Sequence, residues 1–317
     1  MKLKVKFVDF WDGFDEHYNT FVNVLSEKYE IEICDHPDYL IYSTFGYKNL
    51  KYENCVKIFY TGENITPDFN LCDYAIGFDI MEFGDRYMRL PLYALYGIEE
   101  LRKPKVFNSQ EALNRKFCSI VVSNNKWADP IRETFFKLLS SYKKVDSGGR
   151  AWNNIGGPVD NKLDFISQYK FNIAFENSRV LGYTTEKIME PMQVNSIPVY
   201  WGNRLVELDF NPNSFINAAD YPSLEALVEY IVELDTNDDK YLSILSRPWL
   251  NKSNYLDWQE RLFSFFENVF NKPLNEQKYL SPYGYGKLYR RRLMEMYIAK
   301  RKLKKWKMVC NPCRWFR

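Results

Sequence analysis

Strand-like runs alternate with amphipathic helical stretches along most of this 317-residue chain. Residues 2–11 show strand-type alternation, residues 14–29 carry apolar side chains at helical spacing, and residues 38–46 read as a strand again. Strand, helix and strand in succession is the pattern of a right-handed parallel crossover. The chain is therefore predicted to be an α/β protein with parallel sheets.

The α/β pattern begins a second time after a charged stretch, residues 97–116, which contains Pro104 and has no apolar period. A chain of this length also suits two domains better than one. We predict an N-terminal domain over residues 1–116, a C-terminal domain over residues 117–275 and a tail over residues 276–317.

The tail is strongly basic, although the whole chain has a net charge of only +2. Residues 287–317 hold twelve lysines and arginines, against Glu295 as the one acid. Apolar residues recur there at helical spacing, which is typical of a basic amphipathic helix on an anionic membrane surface. Nucleic-acid binding and a solvated tail are the alternatives.

The start of the chain favours a cytoplasmic protein. The first apolar segment is interrupted by Asp9 and Asp12, so it is too short for a signal peptide or a membrane span. Together with the tail, this predicts a cytoplasmic protein held peripherally at the inner face of the cytoplasmic membrane.

Histidine and metal chemistry are poorly supported. The chain has two histidines, and the pair Cys310 and Cys313 cannot complete a tetrahedral zinc site alone. Carboxylates are therefore the expected source of any general base, and reduced thiols and no metal ligands are predicted.

Polar side chains are concentrated between two predicted buried strands, in the stretch FENSRVLGYTTEK over residues 175–187. The order strand, loop and helix places this stretch at the carboxyl end of a strand and the amino end of a helix. Free backbone N–H groups and the positive helix end favour a phosphate there. A nucleotide-sugar diphosphate site is the functional interpretation; an ordinary solvated helix start is the alternative.

Two long motifs resemble the α-1,3/4-fucosyltransferase family, in particular its bacterial Lewis-antigen-type members. The segment FENSRVLGYTTEKIMEPMQVNSIPVYWGN over residues 175–203 resembles the family signature, and YTGENITPDFNLCDYAIGFDIMEFGDRYMRLPLY over residues 60–93 resembles the N-terminal acceptor motif.

The resemblance implies a GT-B fold, in which two Rossmann-like domains face each other across a cleft. It also implies an inverting transferase that moves fucose from GDP-β-L-fucose to the GlcNAc of Gal-GlcNAc-type acceptors, in glycans such as lipopolysaccharide or glycoprotein. No metal cofactor is expected to be obligatory, and no nucleic acid is expected as a partner.

The motifs also assign residues. Glu63 matches the family's general base, with Asp79, Glu82 and Asp85 as nearby alternatives. The donor-binding positions are expected to be Asn177, Tyr183, Glu186, Lys187 and Arg150. The sequence departs from the family pattern at one position, because an ungapped match puts Trp152 where a diphosphate-binding arginine is expected. Arg150 lies two residues earlier, and the glycines before it are expected to let it reach the phosphate.

Two other functions are compatible with the same residues. One is a related enzyme with α-1,4 regiochemistry or a different GDP-sugar. The other is a non-catalytic protein that binds carbohydrate or nucleotide on the same fold.

Overall fold

The computed structural model describes residues 1–250 and 257–309, with side chains through residue 303 in the last helix. The chain forms two compact units. The first unit contains Met1–Gly77, Met81–Leu90 and the chain from Trp258 onward, and the second contains Phe78–Ile80 and Pro91–Asp257. Residues 91–116 thus group with the second unit and residues 258–275 with the first, whereas the sequence analysis placed them in the N-terminal and C-terminal domains. The predicted tail, from residue 276, groups with the first unit.

The first unit is built on a six-stranded parallel sheet with the order β2-β1-β3-β4-β5-β6. The third, fourth and fifth strands are buried along their whole length, as expected for a parallel sheet covered on both faces. The strands are β1 (Lys2–Val8), β2 (Glu30–Ile33), β3 (Tyr39–Tyr42), β4 (Val56–Tyr60), β5 (Tyr74–Gly77) and β6 (Tyr87–Arg89).

The second unit has a five-stranded parallel sheet with the order β11-β10-β9-β7-β8. Two of its three interior strands, β9 and β10, are entirely buried and pair in register from Phe171 with Ile197 to Phe175 with Trp201. The strands are β7 (Lys116–Ile120), β8 (Val145–Ser147), β9 (Tyr169–Phe175), β10 (Ile197–Trp201) and β11 (Ile216–Asn217).

Helices lie between several of the strands, and two short ones fall within residues 97–116, where the sequence analysis found no apolar period. Those of the described residues are α1 (Thr20–Ser26), α2 (Glu99–Arg102), α3 (Ser109–Leu113), α4 (Ile131–Tyr142), α5 (Lys162–Ile166), α6 (Glu186–Gln193), α7 (Leu224–Thr236), α8 (Asp238–Leu245), α9 (Trp258–Phe270) and α10 (Gly284–Val309). Single 3-10 turns lie at Lys48–Lys51, Leu92–Leu95, Val206–Leu208, Pro212–Ser214 and Ala218–Asp220.

Helix α9 explains why the chain returns to the first unit. Phe266 of α9 is fully buried and lies 6.1 Å, ring centre to ring centre, from Phe21 of α1. Phe270 packs edge-on against Tyr39 of β3 at 4.5 Å. Burial of aromatic rings of this size contributes on the order of 2 kcal/mol or more each, which is enough to hold α9 on this sheet.

Candidate functional site

The polar stretch at residues 175–187 lies where the sequence analysis places it. Strand β9 ends at Phe175 and helix α6 begins at Glu186, so the stretch connects the carboxyl end of a central parallel strand to a helix amino terminus. Open α/β sheets carry their ligand groups at this edge. The local prediction of strand, loop and helix is therefore confirmed.

Glu176 is the centre of this site, and it is fully buried, with 0% of its surface exposed. Its Oε1 accepts hydrogen bonds from the Thr185 backbone N–H at 2.7 Å and from the Thr185 hydroxyl at 2.9 Å. Its Oε2 accepts from Lys187 Nζ at 3.0 Å. A buried carboxylate with this many donors holds the strand end and the helix start in one fixed arrangement.

Lys187 is held as a cation by the carboxylates around it. Its Nζ lies 3.0 Å from Glu176 Oε2 and 3.8 Å from Glu186 Oε1, and it also donates to Thr185 Oγ1 at 3.0 Å. Burial opposes the charged form, but Glu176 and Glu186 outweigh burial and raise the pKa of Lys187 above its usual value. The ammonium group is therefore a fixed positive charge in the first turn of α6.

Glu186 is ionised beside this lysine. Burial acts to raise the pKa of Glu186, but Lys187 and Lys162 more than offset it, so the pKa lies below its usual value. An ionised, half-buried carboxylate accepts hydrogen bonds only, which suits it to the hydroxyl groups of a sugar.

Asn177 is held by an arginine that the sequence analysis missed. Arg132 of α4 is 1% exposed, and its Nη2 donates to Phe175 O at 2.9 Å and to Asn177 Oδ1 at 2.6 Å. Its Nε is buried without a hydrogen-bond partner among the described residues. The structure thus places a second cation at the end of β9, on the same strand end as Glu176.

A sequence signal for Arg132 exists. The buried face of α4 consists of Arg132, Phe135 and Leu139, which recur at helical spacing. A cation in the first turn of such an apolar face has to find a buried partner. That partner is 43 residues away in sequence, at Phe175 O, so the spacing alone does not identify it.

Arg150 is exposed in the loop after β8, which leaves the carboxyl edge of the same parallel sheet as β9. This loop is fixed: Asn153 Nδ2 donates to Gly149 O and Gly157 O, both at 2.8 Å. A Cβ at Gly149 would lie 2.0 Å from Val122 O, so this glycine serves a close backbone approach. The backbone at Gly149 is thus held in place, and the role of Arg150 in donor binding stays a prediction.

Tyr183 is buried in the loop before α6, and its ring packs edge-on against Phe78 at 5.1 Å. Next to it, Asn203 joins this loop to the end of β10. Asn203 Oδ1 accepts from Gly182 N at 2.8 Å, and its Nδ2 donates to Thr184 Oγ1 at 3.0 Å. The loop is thus held to the neighbouring strand end.

Glu63 lies in the first unit, in the loop after β4, and is exposed. Its backbone N–H donates to Thr61 Oγ1 at 2.9 Å, and its carbonyl accepts from Ile65 N at 2.7 Å. These bonds fix the turn, while the carboxylate itself has no hydrogen-bond or ion-pair partner among the described residues. Of the alternative acids, Asp85 is less suited to be a base, because its hydrogen bond to Lys272 lowers the pKa of its carboxyl group.

The basic helix α10 is a second candidate surface. It begins at Gly284, three residues before the predicted basic segment, and it packs against the rest of the first unit. Tyr289 donates to Asp68 Oδ2 at 3.0 Å, Arg290 donates to Asn70 O at 3.1 Å, and the ring of Tyr297 lies 5.6 Å from that of Tyr47. The helix also carries exposed apolar and basic side chains, including Tyr285 at 92% exposure.

Two further predictions concern cysteines and metals. Cys34, Cys55, Cys72 and Cys118 are free thiols, whereas Cys310 and Cys313 lie outside the described residues. Among the described side chains, no group of three His, Cys, Asp or Glu residues is arranged to hold a metal ion.

Within residues 1–250 and 257–309, no helix is both long and apolar enough to cross a bilayer.

Two family models match consecutive parts of the chain. Residues 5–96 match the alpha-(1,3)-fucosyltransferase FucT N-terminal domain, and residues 112–267 match the C-terminal part of glycosyltransferase family 10 (fucosyltransferase). The alpha-(1,3)-fucosyltransferase FucT of Helicobacter pylori is 36% identical over 316 residues, which cover 86% of this chain and 64% of the relative. The chain thus spans just under two thirds of that relative's length.

Solved structures agree with these matches. A crystal structure of an alpha1,3-fucosyltransferase with GDP-fucose is similar at a TM-score of 0.73 and 32% identity, covering 85% of this chain and 90% of that one. Another crystal structure of an alpha1,3-fucosyltransferase is similar at a TM-score of 0.74 and 33% identity, covering 86% of this chain and 90% of that one. The predicted GT-B class is thereby confirmed, and the chain belongs to glycosyltransferase family 10, the fucosyltransferase family.

Proposed function

We propose that this chain is an inverting α-1,3-fucosyltransferase that moves L-fucose from GDP-β-L-fucose to the GlcNAc of N-acetyllactosamine-type acceptors. The observation that carries the proposal is the cluster of Glu176, Thr185 and Lys187 at the junction of β9 and α6. The H. pylori relative is an alpha-(1,3)-fucosyltransferase, which supports the transferred sugar, and the similar crystal structure contains GDP-fucose, which supports the donor.

In this proposal the donor diphosphate binds to protein cations. Lys187 lies at the amino end of α6, where the helix dipole adds positive potential, and Arg132 lies at the end of β9. Glu176 and Thr185 position Lys187, Asn177 and Tyr183 offer neutral hydrogen bonds, and Glu186 accepts from sugar hydroxyls. Two fixed cations suit a diphosphate, so no divalent metal is needed for binding.

The same cations favour the reaction. As the acceptor oxygen attacks the fucose anomeric carbon, the bond from that carbon to the diphosphate oxygen breaks, and its electron pair leaves with GDP. Negative charge therefore grows on the diphosphate in the transition state, where a fixed cation contributes more than in the ground state. Glu63 takes the proton of the acceptor hydroxyl, and attack on the face opposite GDP converts the β-linked donor to an α-linked product.

The proposal is tested with labelled GDP-fucose and a panel of acceptors: Gal-β-1,4-GlcNAc, Gal-β-1,3-GlcNAc and lactose. We expect transfer to Gal-β-1,4-GlcNAc to be fastest, with labelled trisaccharide as the readout. Fucose transfer to Gal-β-1,3-GlcNAc alone would favour α-1,4 regiochemistry. Donor binding with neither transfer nor release of GDP would favour the non-catalytic alternative.

Arg132 and Arg150 can be separated by substitution. Arg132→Lys keeps a positive charge but cannot hold Phe175 O and Asn177 Oδ1 and also donate to the diphosphate, and one lost charge-assisted hydrogen bond to the diphosphate costs about 1.5–3 kcal/mol. We therefore expect about 10–100-fold weaker GDP-fucose binding, measured by calorimetry. Arg150→Met is the matched control and should bind the donor as the wild type does. The assignment is wrong if Arg150→Met is the weaker binder.

We further propose that α10 attaches the protein to anionic membrane at the inner face of the cytoplasmic membrane. The support is its composition and the exposed Lys300, Arg301 and Lys302, since each cation near such a surface contributes about 1 kcal/mol. Replacing all three with Gln should weaken co-sedimentation with phosphatidylserine vesicles about 100-fold or more.

The control for this experiment replaces Lys51, Lys103 and Lys126, which are exposed and lie outside the helix. This triple variant should co-sediment as the wild type does. Retention by RNA but not by vesicles would instead support the nucleic-acid alternative.

A further inference from the structure

A separate cavity lies at the carboxyl edge of the second sheet, beside the donor cluster. Its volume is about 200 Å³, and it is lined by Arg179, Val180 and Leu181 from the loop after β9 and by Arg204 from the turn after β10. Neither arginine belongs to the group of residues that the proposed donor chemistry uses. The cavity therefore needs an explanation of its own.

The backbone that carries both arginines is fixed by Asn203, whose side chain is buried. Its Oδ1 accepts from Gly182 N at 2.8 Å on one loop and from Leu205 N at 3.0 Å on the other. Gly182 has a φ of +82°, and a Cβ there would lie 2.6 Å from Phe78 O, so the loop takes this path only with glycine. The two arginines thus start from preformed positions on either side of one cavity.

Both guanidinium groups lack an acidic partner among the described residues, and both side chains are exposed. Arg102 and Arg291, in contrast, pair with the carboxylates of Glu99 and Glu295. Two like charges that border the same small cavity repel each other, and an anion between them removes that cost. The planar guanidinium fork matches a carboxylate, sulfate or phosphate in geometry.

The other wall of the cavity is apolar. Leu181 is 55% exposed and Val180 is half-buried, so a ligand meets aliphatic surface next to the two cations. A free inorganic anion uses only the cations, whereas an anionic group carried on a sugar ring uses both kinds of surface. The donor diphosphate is already provided with the buried cation Arg132 and with Lys187.

We propose that Arg179 and Arg204 bind the anionic group of an acidic acceptor glycan, a carboxylate, sulfate or phosphate carried on a sugar of the acceptor. This inference rests on the proposed transferase function and names the class of acceptor that the enzyme prefers. The two arginines act as specificity determinants and take no part in bond breaking.

The test compares transfer to N-acetyllactosamine with transfer to its 3′-sialyl, 3′-sulfo and 3′-phospho forms, by the wild type and by an Arg179→Gln/Arg204→Gln variant. The wild type should show about tenfold higher kcat/KM for at least one acidic form, and this preference should decline with added NaCl. The double variant should lose the preference but keep the wild-type kcat/KM for the neutral acceptor. Arg247→Gln, a change of another exposed arginine, should keep the preference.

Three results would overturn the inference: equal rates with neutral and acidic acceptors in the wild type, a preference that survives in the double variant, or weaker GDP-fucose binding by the double variant. The last would assign both arginines to the donor. If no acceptor is fucosylated, the proposed function fails instead, and titration of 3′-sialyl-N-acetyllactosamine against N-acetyllactosamine by NMR still decides the site. Binding of the acidic sugar by the wild type but not by the double variant supports the proposed site at Arg179 and Arg204. Equal binding of the acidic sugar by both proteins refutes that site.

Discussion

Lys187→Met is expected to lose about 10²–10³-fold in kcat for fucose transfer, measured with saturating labelled GDP-fucose. The physical reason is that charge on the departing GDP grows in the transition state, when Lys187 is needed most. The same change leaves Glu176, which is 0% exposed, without its cation. Breaking a buried pair in this way costs about 3–5 kcal/mol of the free energy of unfolding, measured by denaturant titration.

The double variant Glu176→Gln/Lys187→Met separates these two effects. It removes the orphaned buried carboxylate together with the lysine, so most of the lost stability should return. Transfer should stay low, because the cation at the diphosphate is still missing. Recovery of transfer along with stability would show that Lys187 has a structural role only.

Glu63→Gln is expected to lower kcat about 10²–10⁴-fold, because the amide cannot take the proton of the acceptor hydroxyl. Its dissociation constant for GDP-fucose, measured by calorimetry, should match that of the wild type. The free energy of unfolding should also be unchanged, since the carboxylate is exposed and unpaired among the described residues.

Glu82→Gln is the matched control for this change, because Glu82 is another exposed acid of the same unit and one of the alternative bases. It should transfer fucose at the wild-type rate. If Glu82→Gln loses activity and Glu63→Gln does not, the base is assigned to the wrong residue. Equal loss of donor binding and transfer in Glu63→Gln would mark Glu63 as structural.

The sequence predicted the strands and the helix that carry the donor cluster because each has a strong local pattern. Strand β9 is seven residues of buried type, and α6 follows an N-cap threonine, Thr185, whose side chain accepts from Lys187 N. The edge strands β6 and β11 have three and two residues, which is too short for a period to be read. Their positions follow from pairing with longer neighbours.

The parts of the site that the sequence did not reveal depend on contacts between distant residues. Arg132 reaches Phe175 O and Asn177 across 43 and 45 residues. Glu176 reads as the polar end of a strand, and its role as the centre of the cluster appears only when Thr185 and Lys187 fold back onto it. Arg150 follows a glycine pair that suggested mobility, but the backbone contact of Gly149 with Val122 shows a fixed loop.

Long-range contacts also explain the division of the chain. Helices α9 and α10 follow the second sheet in sequence, and the local pattern therefore assigned α9 to the C-terminal domain. The rings of Phe266 and Phe270 instead pack on Phe21 and Tyr39, more than 200 residues earlier. The spacing of apolar residues within a helix does not indicate which distant residues it will contact.

The most direct test of the proposed function is proton NMR of the wild-type enzyme with GDP-β-L-fucose, Gal-β-1,4-GlcNAc and EDTA. We predict a growing anomeric signal of α-configured fucose attached to O3 of GlcNAc, together with stoichiometric release of GDP. This result would show transfer, inversion and independence from divalent metal in one reaction. A β-configured product would contradict the mechanism proposed for Lys187, Arg132 and Glu63. So would a reaction that starts only when a divalent metal is added in excess of the EDTA.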